Sequence, residues 1–284
     1  MATTISQYFN HQNTPAIFLR FPRLLHLYFW LNHFSVLRMK YARRAIRHLF
    51  MSVEPPQRIV DAGCGMGDFL FSTPEFDQAK QLTGIDASTS NIDLCRKLMQ
   101  LTQRENMKFI CGDLATADFP PGQDLILCIG VLMYIADDIA LLKKFNRSLA
   151  PNGRLLLYAA VNYRRSLSLY RRLAKNQEFD YDQIIGRPHT YTDQSLEQRL
   201  LDCGFSIEKK WHSFGTAAAV MFEISSIFEW VFKMWNPVFS VFFLPLYLIF
   251  YPVYLITMMF DFYGTRTTGN GVMIIAKING EMSL

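Results

Sequence analysis

Residues 60–67 of the chain read VDAGCGMG, and the fold can be inferred from this segment outward. An aliphatic segment from Arg58 to Ala62 runs into three glycines at alternate positions, Gly63, Gly65 and Gly67, and a helical pattern follows. Glycine adopts backbone conformations that other residues avoid, and it has no side chain to keep a ligand away from the backbone. The order of strand, glycine turn and helix predicts the ligand-binding edge of a parallel α/β sheet.

The spacing of these glycines argues against a dinucleotide site. The dinucleotide fingerprint G-x-G-x-x-G would need its third glycine at the position of Asp68. A glycine-rich turn is in itself a weak signal, so the ligand has to be inferred from the residues around it.

Outward from the turn, short aliphatic segments alternate with helical patterns. The predicted strands are Arg58 to Ala62, Gln81 to Asp86, Met107 to Cys111, Asp124 to Ile129, Gly153 to Val161, Phe205 to Trp211 and Gly271 to Ile278. The predicted helices are Asp68 to Ala79, Ser88 to Arg104, Asp137 to Leu149 and Thr192 to Cys203, with Ser88, Asp137 and either Thr192 or Asp193 as N-caps. This alternation predicts an α/β fold with an open, doubly wound sheet.

Two carboxylates stand where the next two predicted strands end. Asp86 closes the second strand within GIDAS, residues 84–88, and Asp113 follows the third strand within CGD, residues 111–113. The carboxyl ends of parallel strands share one edge, where ribose hydroxyls and an adenine amine would both need acceptors. Either aspartate alone is also typical of a turn or a helix cap, but together with the glycine turn they predict a nucleoside site.

Six segments in order resemble the class I S-adenosylmethionine-dependent methyltransferases. They are VDAGCGMG, GIDAS, CGD, DLILCIGVLMYIADD at 124–138, LAPNGRLLLY at 149–158 and YTDQSLEQRLLDCGF at 191–205. The resemblance covers roughly residues 56 to 213 and the last strand. It implies a Rossmann-like, seven-stranded, mostly parallel sheet whose seventh strand is antiparallel and lies between the fifth and the sixth. It also implies S-adenosyl-L-methionine as the cofactor.

The resemblance further implies which residues bind the cofactor. The backbone around the three glycines would hold the methionine portion, Asp86 the ribose and Asp113 the adenine, and Cys128 to Val131 would face the methyl group. The expected cofactor-binding residues are Asp61, Gly63, Cys64, Gly65, Gly67, Asp86, Ala87, Asp113, Leu114, Cys128, Ile129 and Gly130. No metal site is expected.

The catalytic base is the point at which the sequence departs from the family. Many members carry a histidine pair after the fourth strand, where this chain has Met133 and Tyr134. His189, on the loop before the helix at Thr192, is the candidate base if the acceptor must lose a proton, although a backbone-bonded loop histidine is an equal alternative. Tyr134 is a second candidate catalytic residue. Tyr134, Tyr163 and Tyr191 are candidates to line an acceptor pocket, or packed aromatics.

Composition sets wider limits. Apolar residues make up 50% of the 284 residues, charged residues 19%, and the net charge is +5. This excludes a disordered chain, and one long uncharged segment is too little for a polytopic membrane protein. Five cysteines without a CxxC pair indicate reduced thiols in a cytosolic protein. No signal peptide is expected, because His26, Asn32 and His33 interrupt the apolar stretch from Leu24 to Leu37.

A long apolar insertion separates the last two predicted strands. Residues 237–260 carry no charge, and as a helix they would be about 36 Å long, enough to span a bilayer. The strands before and after the insertion should pair in one sheet, so the chain must leave and return on one side. Pro245 and Pro252 would also kink the helix. We therefore expect a monotopic hairpin or a pair of interfacial helices, with a soluble helical lid over the active site as the alternative.

The front end of the chain is basic and aromatic. Its first acidic residue is Glu54, which follows Arg20, Arg23, Arg38, Lys40, Arg43, Arg44 and Arg47. Leu37 to Phe50 places apolar residues on one helical side and arginines largely on the other, a pattern typical of a helix that lies on anionic lipid. Nucleic acid is not expected as a partner, because the aromatic residues lie among aliphatics rather than among Lys and Arg.

These features predict three parts: N-terminal basic helices in 1–53, a methyltransferase domain in 54–216 with 267–284, and an apolar insertion in 217–266. We expect an enzyme on the cytoplasmic face of a membrane, peripheral or monotopic, that methylates a lipophilic acceptor. An aromatic or quinone-like hydroxyl or ring carbon is the first choice. The alternatives are N-methylation of a lipid head group, or a non-catalytic cofactor-binding subunit that anchors a biosynthetic partner enzyme.

Overall fold

Seven strands form one sheet in the computed structural model, which describes residues 18, 20–21, 23–52, 54–162, 164–175, 188–234 and 237–279. The strand order is β3-β2-β1-β4-β5-β7-β6. The strands are β1 (Arg58–Ala62), β2 (Gln81–Asp86), β3 (Met107–Cys111), β4 (Gln123–Ile129), β5 (Leu149–Ala160), β6 (Phe205–Ser213) and β7 (Gly271–Ile278). The predicted α/β fold class is confirmed.

The pairing directions place the carboxyl ends of β1 to β5 at one edge of the sheet, called here the carboxyl edge. β1 pairs in parallel with β2 and β4, β2 with β3, and β4 with β5. β7 is antiparallel to both β5 and β6, so β6 runs in the same direction as β5. Gly271 pairs with both Ala160 and Ser213, which brings the end of β6 to the carboxyl edge. The expected antiparallel seventh strand is confirmed.

Helices cover the sheet and extend beyond it. They are α1 (Leu24–Ser35), α2 (Leu37–Ser52), α3 (Asp68–Ser72), α4 (Thr89–Thr102), α5 (Asp138–Ser148), α6 (Ser168–Leu173), α7 (Asp193–Asp202), α8 (Thr216–Met234) and α9 (Pro237–Tyr263). The predicted N-caps Ser88 and Asp137 accept the amides of Asn91 and Ala140, and Thr192 caps α7 in a capping box. These side chains satisfy amides that the first helical turn leaves unpaired.

The predicted helix from Asp68 to Ala79 is wrong in its second half. α3 ends at Ser72, Thr73 is extended, and a separate 3₁₀ turn runs from Pro74 to Gln78. Proline has no amide hydrogen to continue a helix, and it disfavours helical backbone in the residue before it.

The interpretation of α2 as a lipid-bound helix is also wrong. Its apolar residues from Leu37 to Leu49 are buried in the core on one face of the sheet, with Leu37, Ala42 and Ala45 completely covered. Two of its arginines bond to backbone carbonyls of the protein: Arg43 donates to Ser72 O at 3.2 Å, and Arg44 donates to Phe262 O at 2.7 Å. An amphipathic pattern serves a sheet face as well as a bilayer, and here the sheet takes the apolar side.

The apolar insertion forms a helical pair between β6 and β7. Phe228 of α8 packs against Tyr247 and Phe250 of α9, with ring centroids 5.5 and 5.3 Å apart. α9 continues through Pro245 and Pro252. Within it, Phe243–Tyr263 is, among the described residues, the one stretch long and apolar enough to cross a membrane, and only 11% of its 18-residue apolar window is buried. The chain returns to β7 beside β6, as the expected pairing of the two strands requires.

Candidate functional site

The glycine turn lies at the carboxyl edge, directly after β1. Gly63, Gly65 and Gly67 have φ angles of +82°, +53° and +80°, a region that favours glycine. A Cβ on Gly63 would overlap Val131, and one on Gly67 would overlap Phe71. A Cβ on Gly65 would meet nothing within 4 Å, so Gly65 is the glycine of this turn that borders open space for a ligand.

Asp86, at the end of β2, fixes the shape of this turn. Its Oδ2 accepts the Gly65 amide at 2.8 Å, and its Oδ1 accepts the Ser88 amide at 2.9 Å. Burial raises the pKa of this carboxyl, and the two amide hydrogen bonds act in the opposite direction. Each carboxylate oxygen can accept a further hydrogen bond, so Asp86 retains capacity for a donor pair such as ribose hydroxyls.

Asp61, in β1, is the buried carboxyl beneath the turn. It is only 2% exposed, and its Oδ2 has no hydrogen-bond partner among the described residues. Burial raises the pKa of Asp61 to about 8, with further contributions from the charges of Asp86 and Asp68. A buried acceptor without a donor is costly, and a bound cationic or N–H group would relieve that cost.

The adenine candidates follow β3. The Gly112 amide donates to Asp86 O at 2.9 Å, which ties the end of β3 to the end of β2. Asp113 is half-buried, and its Oδ1 accepts the Ala115 amide at 2.9 Å in a local turn. Leu114 is buried, and Ala87 is half-buried. The structure therefore brings Asp86, Ala87 and Asp113 to the same edge as the glycine turn.

The end of β4 supplies the expected methyl-facing segment, but not all of its side chains. Ile129 and Gly130 are half-buried at the edge, and Gly130 has a φ of +76°. Cys128 is completely buried in the core, and Cys64 is 7% exposed. These two thiols cannot line the site, so only the backbone of Cys64 and Cys128 remains available to a ligand.

The two candidate catalytic residues lie near each other in the fold. Tyr134 ends a 3₁₀ turn from Leu132 to Tyr134, directly after the methyl-facing segment. The His189 ring stacks on Tyr191, and its Nε2 lies 3.0 Å from Ala136 O and 3.8 Å from Asp138 Oδ1. The loop thus reaches the segment after β4, with the His189 ring held by backbone and aromatic contacts. Tyr163, the third pocket candidate, lies outside the described residues.

Tyr191 itself has a structural role. Its hydroxyl donates to Asp138 Oδ2 at 2.7 Å, and Arg199 pairs with Oδ1 of the same carboxylate at 2.7 Å. Burial and the Asp138 charge both raise the pKa of Tyr191. Tyr191 is 3% exposed, so it cannot line an acceptor pocket with its ring.

Sequence reasoning missed a second group of residues at the carboxyl edge. Tyr158 of β5 lies 3.3 Å from Ser213 of β6 through their hydroxyls, and the Gly130 amide donates to Tyr158 O at 2.9 Å. A Cβ on Gly130 would have the Arg38 Nη1 as its nearest neighbour, 3.8 Å away. Arg38 lies in the first turn of α2, and in the sequence it stands out only as one member of a basic run.

Asp261, near the end of α9, anchors the insertion to this edge. It is fully buried, and it accepts the amides of Phe214 and Gly215 at 3.2 and 2.8 Å. Arg266 Nε lies 2.9 Å from its Oδ2 as an ion pair, and the Tyr41 hydroxyl donates to its carbonyl at 3.1 Å. In the sequence, Asp261 only follows a long uncharged segment, and this pattern does not indicate its role.

The family comparison agrees with this geometry. Residues 54–211 match the profile of a family described as "Methyltransferase domain". The chain is 28% identical over 161 residues to phosphoethanolamine N-methyltransferase 1 of Arabidopsis thaliana, covering 55% of this chain and 30% of that protein. It is 28% identical over 101 residues to a ubiquinone biosynthesis O-methyltransferase of Idiomarina loihiensis, covering 35% and 40%. The chain thus spans less than half the length of these curated relatives.

Solved structures show the same fold. The Haemonchus contortus phosphoethanolamine N-methyltransferase 2, in complex with phosphomonomethylethanolamine and S-adenosylhomocysteine, aligns with a TM-score of 0.61 at 14% identity. The alignment covers 98% of this chain and 61% of that one. An O-methyltransferase of a Brevibacillus brevis polyketide synthase, in complex with S-adenosyl-L-homocysteine, aligns with a TM-score of 0.59 at 15% identity, covering 96% and 83%.

Proposed function

The chain belongs to the class I S-adenosylmethionine-dependent methyltransferases, and from this membership we propose that it transfers a methyl group to a lipophilic acceptor presented at a membrane surface. The observation that carries the proposal is the position of its exposed apolar surface. Two helices with large exposed apolar side chains, α1 and α9, are both attached to the carboxyl edge, where the cofactor residues lie.

The residues at this edge fit S-adenosylmethionine, which supplies an electrophilic methyl group on a sulfonium. The open side of Gly65 leaves room for a ligand against the backbone. The unpartnered Asp61 oxygen is an acceptor for an ammonium group, and Asp86 retains acceptor capacity for hydroxyls. Methyl transfer from a sulfonium is an in-line displacement, so alignment of the acceptor supplies much of the catalysis.

α1 brings the first apolar surface to the site. His33 Nε2 lies 2.7 Å from Asp68 Oδ1 and 2.6 Å from Ser72 Oγ, and both partners belong to α3, directly after the glycine turn. The opposite side of α1 leaves large apolar side chains in solvent, namely Leu24, Leu27, Trp30, Leu31 and Phe34. Contiguous exposed apolar surface of this kind is typical of a membrane or protein contact.

α9 brings the second apolar surface, and its length favours lipid over a compact protein partner. Asp261 holds its end against the amides that follow β6. From residue 243 onward, where the side chains of α9 are described, nine large apolar side chains are exposed: Leu244, Leu246, Leu248, Ile249, Val253, Ile256, Met259, Phe260 and Tyr263. Because the chain leaves and re-enters the same sheet edge, a monotopic or peripheral position fits this helix. We also propose that the enzyme lies on the cytoplasmic face of the membrane.

The acceptor we propose is an aromatic or quinone-like hydroxyl or ring carbon. Similarity to a ubiquinone biosynthesis O-methyltransferase supports this class. N-methylation of a lipid head group is the second candidate, supported by the similarity to phosphoethanolamine N-methyltransferases in sequence and fold. A cofactor-binding subunit that anchors a partner enzyme remains the non-catalytic alternative.

Turnover separates these possibilities. Purified protein in detergent is incubated with methyl-labelled S-adenosylmethionine and either a membrane lipid extract, a set of alkylphenols or phosphatidylethanolamine. We expect a labelled, organic-soluble product with the extract and with the phenols. Labelling of phosphatidylethanolamine instead would select the head-group reaction. Cofactor binding without any labelled product would select the subunit role and reject the proposal.

A further inference from the structure

Arg38 stands beside the segment where the methyl group would be presented. Its Nη1 lies 3.8 Å from the position of a Cβ on Gly130, and among the described residues, apart from the two chain neighbours of Gly130, no other heavy atom comes within 4 Å of that position. Gly130 itself is fixed at the end of β4 by its hydrogen bond to Tyr158 O. The guanidinium therefore borders the half-buried surface between the ends of β4 and β5.

Arg38 differs from the other arginines of α2 in its contacts. Arg43 and Arg44 donate to backbone carbonyls, and Arg47 pairs with Glu75 at 3.2 Å. Within the described ranges, the Arg38 side chain makes no hydrogen bond or ion pair, and the residue is exposed. The cation at the edge is thus available to a ligand.

We propose that Arg38 binds an anionic oxygen of the acceptor, and so selects acceptors in which that oxygen is the methylated atom or lies near it. The inference rests on the proposed methyl transfer at this edge. A guanidinium has five N–H donors in a planar fork that suits phenolate, phosphate or carboxylate oxygens. Phenolate and head-group phosphate share this chemistry, and the two arms of the test below distinguish them.

For a phenolic acceptor, Arg38 would also favour loss of the acceptor proton without a general base. A phenol has an ordinary pKa near 10, and a positive charge within about 4–6 Å lowers the pKa of an acid by roughly 1–3 units. The Arg38 charge has this effect on a phenol of the protein itself. Burial raises the pKa of the Tyr158 phenol, and the Arg38 charge acts in the opposite direction. The acceptor proton then leaves to water, the phenolate oxygen bonds the methyl carbon, and the C–S electron pair stays on sulfur.

The first arm of the test uses kinetics. Arg38→Gln and Arg38→Lys are compared with wild type on a series of alkylphenols whose ring substituents lower their pKa from about 10 to about 7. Arg38→Gln should lose at least tenfold in kcat/KM for the least acidic phenol and much less for the most acidic one. The pH profile of kcat/KM for Arg38→Gln should shift to higher pH by about one unit. Arg38→Lys should recover part of the activity.

The second arm uses binding and does not depend on turnover. The Kd of octyl phosphate is measured by calorimetry in the presence of S-adenosylhomocysteine, with neutral octyl glucoside as the reference. If the anion is a phosphate, wild type should bind octyl phosphate at least tenfold more tightly than Arg38→Gln. The matched control is Arg47→Gln, which removes the same charge from the same helix at an exposed ion pair. It should behave as wild type in both arms.

The outcomes separate this inference from the proposed function. If no phenol is methylated but octyl phosphate binding depends on Arg38, the phenolic acceptor is rejected and the role of Arg38 stands. The role of Arg38 is overturned by the following pair of results. Arg38→Gln methylates phenols with no loss of kcat/KM, or with the same loss for phenols of every pKa, and it binds octyl phosphate as tightly as wild type does. The same conclusion follows if Arg47→Gln reproduces the effects of Arg38→Gln.

Discussion

We expect Asp61 to couple cofactor binding to the release of a proton. Because burial and two neighbouring carboxylates raise its pKa to about 8, Asp61 is largely protonated at pH 7. An ammonium group at its unpartnered oxygen favours the ionised form, so binding of S-adenosylmethionine at pH 7 should release close to one proton. Calorimetry in buffers of different ionisation enthalpy measures this release, and Asp61→Asn should abolish it. Equal binding enthalpies of wild type in all buffers would contradict the assignment.

The same pKa shift predicts how stability depends on pH. The pKa of Asp61 in the folded state lies above its unfolded value of about 3.9, so the folded state binds more protons between these two values. The Asp61 contribution to stability should therefore be complete below pH 4 and fall as the pH rises towards 8. Denaturant titrations at pH 5.5 and 8 should show a smaller decline for Asp61→Asn than for wild type. An identical decline in both proteins would show that Asp61 ionises normally.

Alanine substitutions at Gly65 and Gly63 should distinguish a loss of cofactor affinity from a loss of stability. Both have positive φ angles, but a Cβ on Gly65 meets no atom within 4 Å, whereas one on Gly63 overlaps Val131. Gly65→Ala should cost about 1–2 kcal/mol of stability from backbone strain alone, yet reduce cofactor affinity at least tenfold. Gly63→Ala should cost about 1–3 kcal/mol more, because of overpacking. Thermal unfolding with and without S-adenosylmethionine measures both effects, and full cofactor affinity in Gly65→Ala would exclude the open side as the binding surface.

At the scale of elements, Asp261 ties the end of α9 to the segment that follows β6. Asp261→Ala leaves Arg266 without its buried partner and two amides without acceptors, which should destabilise the fold by about 3–5 kcal/mol. The control is Glu197→Gln, which breaks an exposed ion pair to Lys210 and should cost less than about 1 kcal/mol. Urea denaturation measures both variants. Equal small losses would mean that the end of α9 is held by its apolar contacts alone.

Local signals explain why most elements were predictable. β1, β2 and β3 lie where the sequence predicts them, because each is a short segment rich in apolar residues that ends at a turn or an acidic residue. The caps Ser88 and Asp137 have a similarly local cause. α2 was misassigned because its amphipathic pattern fits a bilayer and a sheet equally well, and only the tertiary packing decides between them.

The residues of the candidate site also fall into two groups, those that the sequence predicts and those that only the structure reveals. Asp86 and Asp113 follow from strand ends, since topology alone brings strand ends to one edge. Asp61 follows from the family resemblance of the glycine motif. Arg38 beside Gly130 and Asp261 beside Gly215 depend on how helices outside the strand-and-helix repeat pack on that edge. A single sequence carries no signal for that packing, so these residues emerged only from the structure.

Across the described parts of the protein, the large exposed apolar patches lie on helices attached to the carboxyl edge of the sheet. α1 and α9 attach to the carboxyl edge, while exposed apolar residues at the opposite ends of the parallel units are isolated. Met51, Leu101 and Leu201 are examples, at the far ends of α2, α4 and α7. This asymmetry would orient the molecule with its carboxyl edge towards a membrane, so that an acceptor reaches the site from the lipid.

Vesicle flotation tests that orientation with two matched triple variants. Leu246, Ile249 and Phe260 of α9, which are 54%, 72% and 73% exposed, are changed to Asp in the first; Met51, Leu101 and Leu201 are changed to Asp in the second. Both variants add three negative charges at exposed apolar positions. Since burying one such side chain is worth about 1.5–3 kcal/mol, the first should lower the partition coefficient at least a hundredfold on vesicles of phosphatidylcholine and phosphatidylglycerol. The second should float nearly as wild type does. Equal flotation of the two variants would mean that charge alone governs binding, and flotation of the first at the wild-type level would remove α9 from the membrane contact.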